Sequence, residues 1–491
     1  MTATVPDPQA PSSGPAARAG DRTGGVEAHG IDVIPDSERH GRPRDLFAVW
    51  AAPNVSYLSL VVGGALILMG LTLVQALAVI VVGNLLWALV GLVAVSGPAA
   101  GTPGEVITRA MYGIRGNRVS LAVIGWFASV CYLALSWAAG SLAAFALVEK
   151  VGVRPNTALK VVVIIAVAAV TLAISVYGHA AIVRLYLPFT VLLVAVFAVL
   201  AVYVFGHADW HYRPRQPLHG GALLAALAGG LGLVASAPLS YSNSADFARY
   251  LPRETSAKAI AGWTALGAYI PSVLFTALGA LAGTALDMAD PQSALLTIVP
   301  SWFEPAFLLA VVLSAVANNA MTAYSSGLCL QAVGVRIRRS RSVALDGALG
   351  IALTLYALLV SDFLDTVDSV LQLMVALMGP SMAIYAADVL WRRNRYDGHQ
   401  LSDESPGGPF WYTGGVNPAG AAALVVGAVA ALLCVDTTLY AGPVARALHG
   451  TDLSLPVGMV LAAGVYLALA RGRGGARADG GPLNSPTGRA G

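Results

Sequence analysis

Six polar residues close one of the most apolar runs in this chain. From Leu239 to Pro252 it reads LSYSNSADFARYLP, directly after GGALLAALAGGLGLVASAP. Ser240, Tyr241, Ser242, Asn243 and Ser244 carry uncharged donors and acceptors, which suit a neutral, planar, polar ligand better than an ion or a lipid. Asp246 and Arg249 read as a solvated surface pair that ends the helix. A second constellation is the adjacent pair Asn318 and Asn319, in the middle of FLLAVVLSAVANNAMTAYSSGLCLQAVG. Two amides in hydrocarbon are costly unless they face partners. An amide offers one donor edge and one acceptor edge, as a nucleobase or cyclic amide requires; the competing role is helix–helix hydrogen bonding. Ser325, Ser326 and Gly327 read as close helix packing. A third candidate is Trp126, near the middle of its run rather than at an interface, where an aromatic face can stack on a flat ring. Tyr132 and Trp137 fit core or ligand contact. Asn84 ties helices together, and Gln372 suits either role.

Other chemistries lack their residues. The chain contains no HExxH, P-loop or GxSxG sequence and no His/Cys/carboxylate cluster on one helical face. Cys131, Cys329 and Cys434 lie inside apolar runs without metal or disulfide spacing and read as small core residues. His179 and His207 fall near the ends of runs and read as solvated. No acid is placed securely in mid-membrane, so an obvious proton-relay carboxylate is missing. A membrane-embedded enzyme or receptor is the competing class; the missing clusters and small loops argue against both.

The elements that must position these residues follow from composition. Of 491 residues, 57% are hydrophobic and 11% charged, and the mean hydropathy is +0.70. Soluble domains carry about 25% charged residues. Apolar runs of about 20 residues, enough to cross the hydrocarbon core as helices, recur along the chain. Twelve spans are predicted, at 46–69, 73–96, 119–147, 160–178, 181–205, 220–247, 259–285, 303–333, 343–361, 366–390, 416–438 and 453–470. Residues 1–44 and the tail 471–491 are polar and read as disordered.

Lys and Arg set the orientation. With the N-terminus inside, the inner segments flanking the spans hold twenty of these basic residues and the outer loops six. Both termini are therefore expected to be cytoplasmic, in a multi-pass protein of the cell membrane. The arginine clusters read as topogenic, and a formal net charge of +3 gives no reason to expect a nucleic-acid partner.

Two spans look interrupted. The first holds Pro53, Asn54, Ser56 and Gly63-Gly64; the sixth holds Gly229, Gly230, Gly232, Pro238 and the polar cluster. Free backbone groups are tolerated in a membrane only where they are buried in protein or line a cavity. Interrupted spans at corresponding positions of two halves point to a transporter site near the midplane. Spans one and six are five apart, which fits two inverted five-span repeats, 45–205 and 220–392, followed by two extra spans in 416–470.

Four segments in order, VGNLLWALVGLVAVSGPAAGTPGEVITRAMYGIRGN (82–117), IGWFASV (124–130), SADFARYLP (244–252) and VANNAMTAYSSGLCLQAVG (316–334), resemble the nucleobase–cation-symport-1 family of cytosine, purine and allantoin permeases. The eighth span looks closest to the purine–cytosine branch, and the resemblance covers about 45–395. It implies a leucine-transporter-like, all-α fold of five-plus-five inverted repeats plus two helices, alternating access, and no cofactor beyond a coupling cation, H+ or Na+. It also implies that Trp126 stacks on the ring, that Asn319 with Asn318 bonds the ligand, and that Ser314 and the Ala310 carbonyl serve a cation site. The chain departs from the family at Leu313, where sodium-coupled members carry a second hydroxyl, and at Val130, where hydantoin-type members carry glutamine. A second stacking tryptophan in span six is missing, and Tyr241 is its nearest substitute. The expected cargo is a nucleobase-like solute carried by a chain for which a monomer suffices. The alternatives are allantoin or hydantoin, a thiamine-type vitamin, or an amino acid, whose charged ends two free half-helix termini can meet.

Overall fold

The computed structural model describes residues 27, 29–359, 363–437 and 440–477, without the side chains of 363–375 and 472–477. The described chain is helical, with two isolated bridges and no strand. Its main helices are α1 (Asp45–Asn54), α2 (Tyr57–Leu68), α3 (Leu73–Ala100), α4 (Ile114–Lys150), α5 (Thr157–Tyr177) and α6 (His179–His207). They continue with α7 (Gly220–Ser240), α8 (Ala245–Ala248), α9 (Ala257–Gly283), α10 (Glu304–Val333) and α11 (Arg339–Leu359). The last three are α12 (Phe363–Trp391), α13 (Pro418–Cys434) and α14 (Ser454–Arg477).

Among the described residues, nine helices are long and apolar enough to cross a membrane, or ten if α1 and α2 form one bent span. The predicted count of twelve also includes α12, part of which lies outside the described side chains together with Gln372, and α13, which has only 17 residues. The predicted spans otherwise agree with the helices to within a few residues.

Both predicted breaks are present. The axis turns by 54° between α1 and α2. Val55 leaves helical geometry (φ −76°, ψ 72°), and the Ser56 hydroxyl accepts from the Leu58 N–H at 3.1 Å, capping the next half-helix. Here Pro53 ends one helix and a serine starts another. α7 stops at Ser240, two residues after Pro238, and Tyr241 (φ −102°, ψ 47°) leads into a turn before α8. Glycines lock the first break in place. A Cβ on Gly63 would strike the Thr276 carbonyl oxygen, and one on Gly279 the Leu60 carbonyl oxygen. The backbones of α2 and α9 therefore touch directly, the close approach that small residues permit. α10 packs against α1, α4, α5, α6 and α11, so it forms the opposite wall of the same interior.

The N-terminal segment corrects one expectation. Residues 1–44 read as disordered, yet from Glu27 the chain is laid onto the helix ends. Ile34 is fully buried and its N–H donates to the Gly101 carbonyl (2.8 Å). Arg39 donates to the Pro98 carbonyl (2.9 Å), and the His40 N–H to the Tyr250 carbonyl (2.7 Å). A polar composition hides such a segment because its anchors are mostly backbone groups and charges, with only a few apolar side chains such as Ile34. At the other end α14 runs on to Arg477, past the predicted start of the tail.

Candidate functional site

The two breaks open onto one cavity of about 110 Å³. A dry cavity of about 150 Å³ binds benzene, so the space is of the order of one small ring and somewhat tighter than that reference. Break one contributes Pro53, Asn54 and Ser56; break two contributes Ser240, Tyr241 and Asn243; α4 adds Ser129 and Tyr132, and α10 adds Asn318 and Thr322. No charged side chain lines it among the described residues.

The polar groups of the wall are only loosely satisfied by one another. Asn318 Nδ2 lies 3.4 Å from the Tyr241 hydroxyl and 3.5 Å from the Pro53 carbonyl oxygen. Both contacts are longer than ordinary hydrogen bonds. The Tyr132 hydroxyl reaches the Ser236 carbonyl at 3.4 Å, and Asn243 Oδ1 has no donor partner. A ligand with its own donors and acceptors would therefore improve the bonding of this wall. The Tyr241 ring is held edge-on to Trp50 (5.2 Å between centroids) and tilted against Trp87 (5.6 Å). Trp87 is in turn anchored through its N–H to Asn84 Oδ1 (3.1 Å), which also accepts from Ser272 (2.6 Å). Asn84 thus ties helices together, as its sequence position implies.

The other predicted residues are distributed differently. Ser240, Tyr241, Asn243 and Asn318 reach the cavity. Asn319 is fully buried away from it and donates to the Leu133 carbonyl at 2.8 Å, a bond between α10 and α4. Trp126 lies in a π-helical turn, 121–127, and is not part of the cavity wall; its N–H donates to Asp346 Oδ1 at 2.5 Å. Ala310 and Ser314 are buried on α10, where the Ser314 hydroxyl donates to the Val311 carbonyl (2.9 Å).

Three readings of polar residues are corrected. Asp246 and Arg249 are not a solvated surface pair, since both are fully buried. Arg249 donates to Glu27 Oε1 (3.1 Å), the Gly30 carbonyl (2.6 Å) and the Tyr324 hydroxyl (3.0 Å). Ser325 does more than pack helices, because it donates to Asp246 Oδ2 at 2.6 Å. His179 is buried, stacked on Tyr250 at 4.3 Å, and its backbone N–H donates to Glu27 Oε2 at 2.9 Å. Asp346 and Asp388 are fully buried as well.

Sequence reasoning also passed over Glu27 and Glu105. Glu27 bridges Arg249 and Arg339 (3.2 Å) and accepts from the Tyr250 and Tyr324 hydroxyls (2.5 and 3.0 Å). Burial works against its charge, but Arg339 and Arg249 hold its carboxyl down at about 2. Glu105 had a visible signal, as the single acid between Asp45 and Glu149.

Residues 33–458 match the family described as permeases for cytosine/purines, uracil, thiamine and allantoin. The putative purine-cytosine permease YxlA of Bacillus subtilis (strain 168) is 26% identical over 463 residues, covering 91% of this chain and 96% of the relative. Among solved structures, the fold is similar to Mhp1, a nucleobase-cation-symport-1 family transporter, closed with bromovinylhydantoin bound (TM-score 0.69, 18% identity, 91% of this chain and 96% of that one). The inward-facing conformation of Mhp1 superposes with a TM-score of 0.67 at 19% identity over the same shares.

Proposed function

The chain belongs to the permease family for cytosine/purines, uracil, thiamine and allantoin, and from that premise we propose that it imports a nucleobase or related neutral heterocycle, of the cytosine/purine class, together with a cation. It is a multi-pass membrane transporter and not an enzyme. The observation that carries the choice of cargo is the cavity wall: ring-sized, uncharged, and edged by the under-bonded groups of Tyr241, Asn243 and Asn318. A thiamine-type cation would need an acid, which the described wall lacks, and an amino acid would have only the half-helix termini, with no charged side chain, to meet its two ends. A neutral base needs only donors and acceptors.

Alternating access is supported by the two helix breaks, which leave half-helices free to pivot about the cavity. The excess of arginines on one side supports cytoplasmic termini and a cell-membrane location. For the coupling ion, Ser314 and Ala310 lie together on α10, but Leu313 removes one expected oxygen, and a hard cation wants several. Uptake of a labelled panel in a transport-deficient host tests the reading. Cytosine or hypoxanthine should be accumulated and should compete with each other, while zwitterionic amino acids should not compete. Competition by amino acids alone would overturn the cargo assignment.

A further inference from the structure

Below the cavity two carboxylic acids face each other. Glu105 is 2% exposed and Asp246 fully buried. Asp246 Oδ1 accepts from the Gly104 N–H (2.8 Å) and Oδ2 from Ser325 (2.6 Å). Glu105 Oε1 has only a long contact from the Cys329 thiol (3.4 Å), and Oε2 meets no donor. The Gly104 N–H bond brings the Asp246 carboxyl beside the neighbouring Glu105. Ionised carboxylates only accept, so two of them can hydrogen-bond directly only when one carries a proton.

The nearest cation is shared. Arg249 bonds Glu27, the Gly30 carbonyl and the Tyr324 hydroxyl, and its charge also attracts Asp246. From α10, Cys329 meets Glu105 and Ser325 meets Asp246, and neither brings a positive charge. Burial, with Asp246 alongside, pushes Glu105 well above the usual carboxylate range.

Glu105 also lies close to the cargo site. Glu105 lines a small cavity of about 30 Å³ with Asn117, and three of its other walls, Ser129, Ser240 and Asn243, are shared with the ligand cavity. That volume holds a water molecule. Asn117 is fully buried; its Nδ2 donates to the Glu105 carbonyl (2.7 Å), but its Oδ1 has no donor. Asn117 Oδ1 and Asn243 Oδ1 are thus two acceptors awaiting a donor in the wall of this small cavity.

The geometry points to the Glu105–Asp246 pair as the binding site of a coupling proton, loaded through the ligand cavity. This rests on the transport reading and chooses the ion within it. One proton from the outer solution converts one carboxylate to the acid, taking the pair from two negative charges to one. The same proton returns to water on the inner side when that face opens. No electrons move.

The test is a flux ratio in sodium-free proteoliposomes holding the full chain and an internal pH dye. Protons and labelled cytosine or hypoxanthine are counted together. Wild type should move a proton with each base, and Glu105→Gln and Asp246→Asn should lose the proton flux relative to the base flux. A folding defect lowers both fluxes and leaves their ratio alone. An unchanged ratio in Glu105→Gln overturns the proposal, as does wild-type transport that needs sodium and moves no protons; in both cases the transport reading survives. A wild type that moves no base of the panel overturns both. If the variants fail to fold, wild type is treated with dicyclohexylcarbodiimide, which modifies protonated carboxyls. Base-sensitive labelling of Glu105 or Asp246 supports the site, and its absence at both overturns it.

Discussion

Glu27 and Glu105 are both glutamates buried beside residues of the 244–252 segment, and their surroundings are opposite. Glu27 touches two guanidiniums, two tyrosine hydroxyls and a backbone N–H. Glu105 faces another carboxyl, a thiol and an oxygen left without a donor. In the first, the charge is permanent and fastens the N-terminal segment to α6, α10, α11 and the end of α8. In the second, the charge is costly and easily given up. Buried acids in a transporter therefore divide by what faces them: a cation makes a fastening, and a second acid makes a titratable site.

The largest expected effect is a test of the fastening. Glu27→Ala leaves Arg249 and Arg339 opposed without their shared acid. Removing one partner of a buried ion pair costs about 3–5 kcal/mol, and the thermal midpoint in lipid or detergent should fall accordingly. Glu105→Gln removes a repulsion instead and should change stability by less than about 1 kcal/mol, in either direction. Equal losses in the two variants would erase the distinction.

Acidity sharpens the same contrast through its sign. The folded-state value of Glu27 lies at about 2, below its ordinary 4.5. Its contribution is therefore fully present above about pH 4.5 and is lost as the pH falls toward 2. For Glu105 the shift is upward, so the stabilising form is the protonated one, present at low pH and lost as the pH rises. Midpoints measured across pH should show a shallower acid limb in Glu27→Ala, and a gain over wild type in Glu105→Gln only on the alkaline side. A Glu27→Ala variant with an unchanged acid limb would contradict the fastening role.

What the sequence disclosed follows from how local each signal is. Pro53 and Ser56 mark a break within a few residues of themselves, and Pro238 does the same for α7. Apolar length alone sets ends such as those of α6. Glu27 is different, because its partners lie more than two hundred residues away at Arg249 and Arg339, and no local pattern announces such a pair. Asn318 and Asn319 show a finer limit. Neighbours on a helix point about 100° apart, so one amide reaches the cavity and the other the Leu133 carbonyl, and only packing decides which. Resemblance favoured Asn319, but the structure turns Asn318 inward.

That pair gives a milder prediction. Asn318→Ala removes an under-bonded amide from the ligand cavity. A net hydrogen bond is worth about 0.5–1.5 kcal/mol, so base affinity should weaken by about 2- to 10-fold at normal membrane abundance. Asn319→Ala deletes a link between α10 and α4 and should lower abundance or thermal midpoint more than affinity. Binding and abundance measured on the same preparations separate the two, and a reversed pattern would make Asn319 the ligand contact.

The smallest effect is expected at Trp126. If its ring stacked on the base, Trp126→Ala would cost about 1–3 kcal/mol, roughly a 5- to 150-fold loss of affinity. In the structure the ring is outside the cavity wall and its N–H is held by Asp346. The aromatic rings in the wall are those of Tyr132 and Tyr241. Trp126→Phe keeps a ring and removes the donor, whereas Asp346→Asn keeps the tryptophan and weakens its anchor. Both should leave base affinity within about twofold, while Tyr241→Ala should weaken it more than either. A large loss in Trp126→Ala, with Trp126→Phe close to wild type, would show that the ring itself reaches the base, through a rotation of the 121–127 turn that releases Asp346.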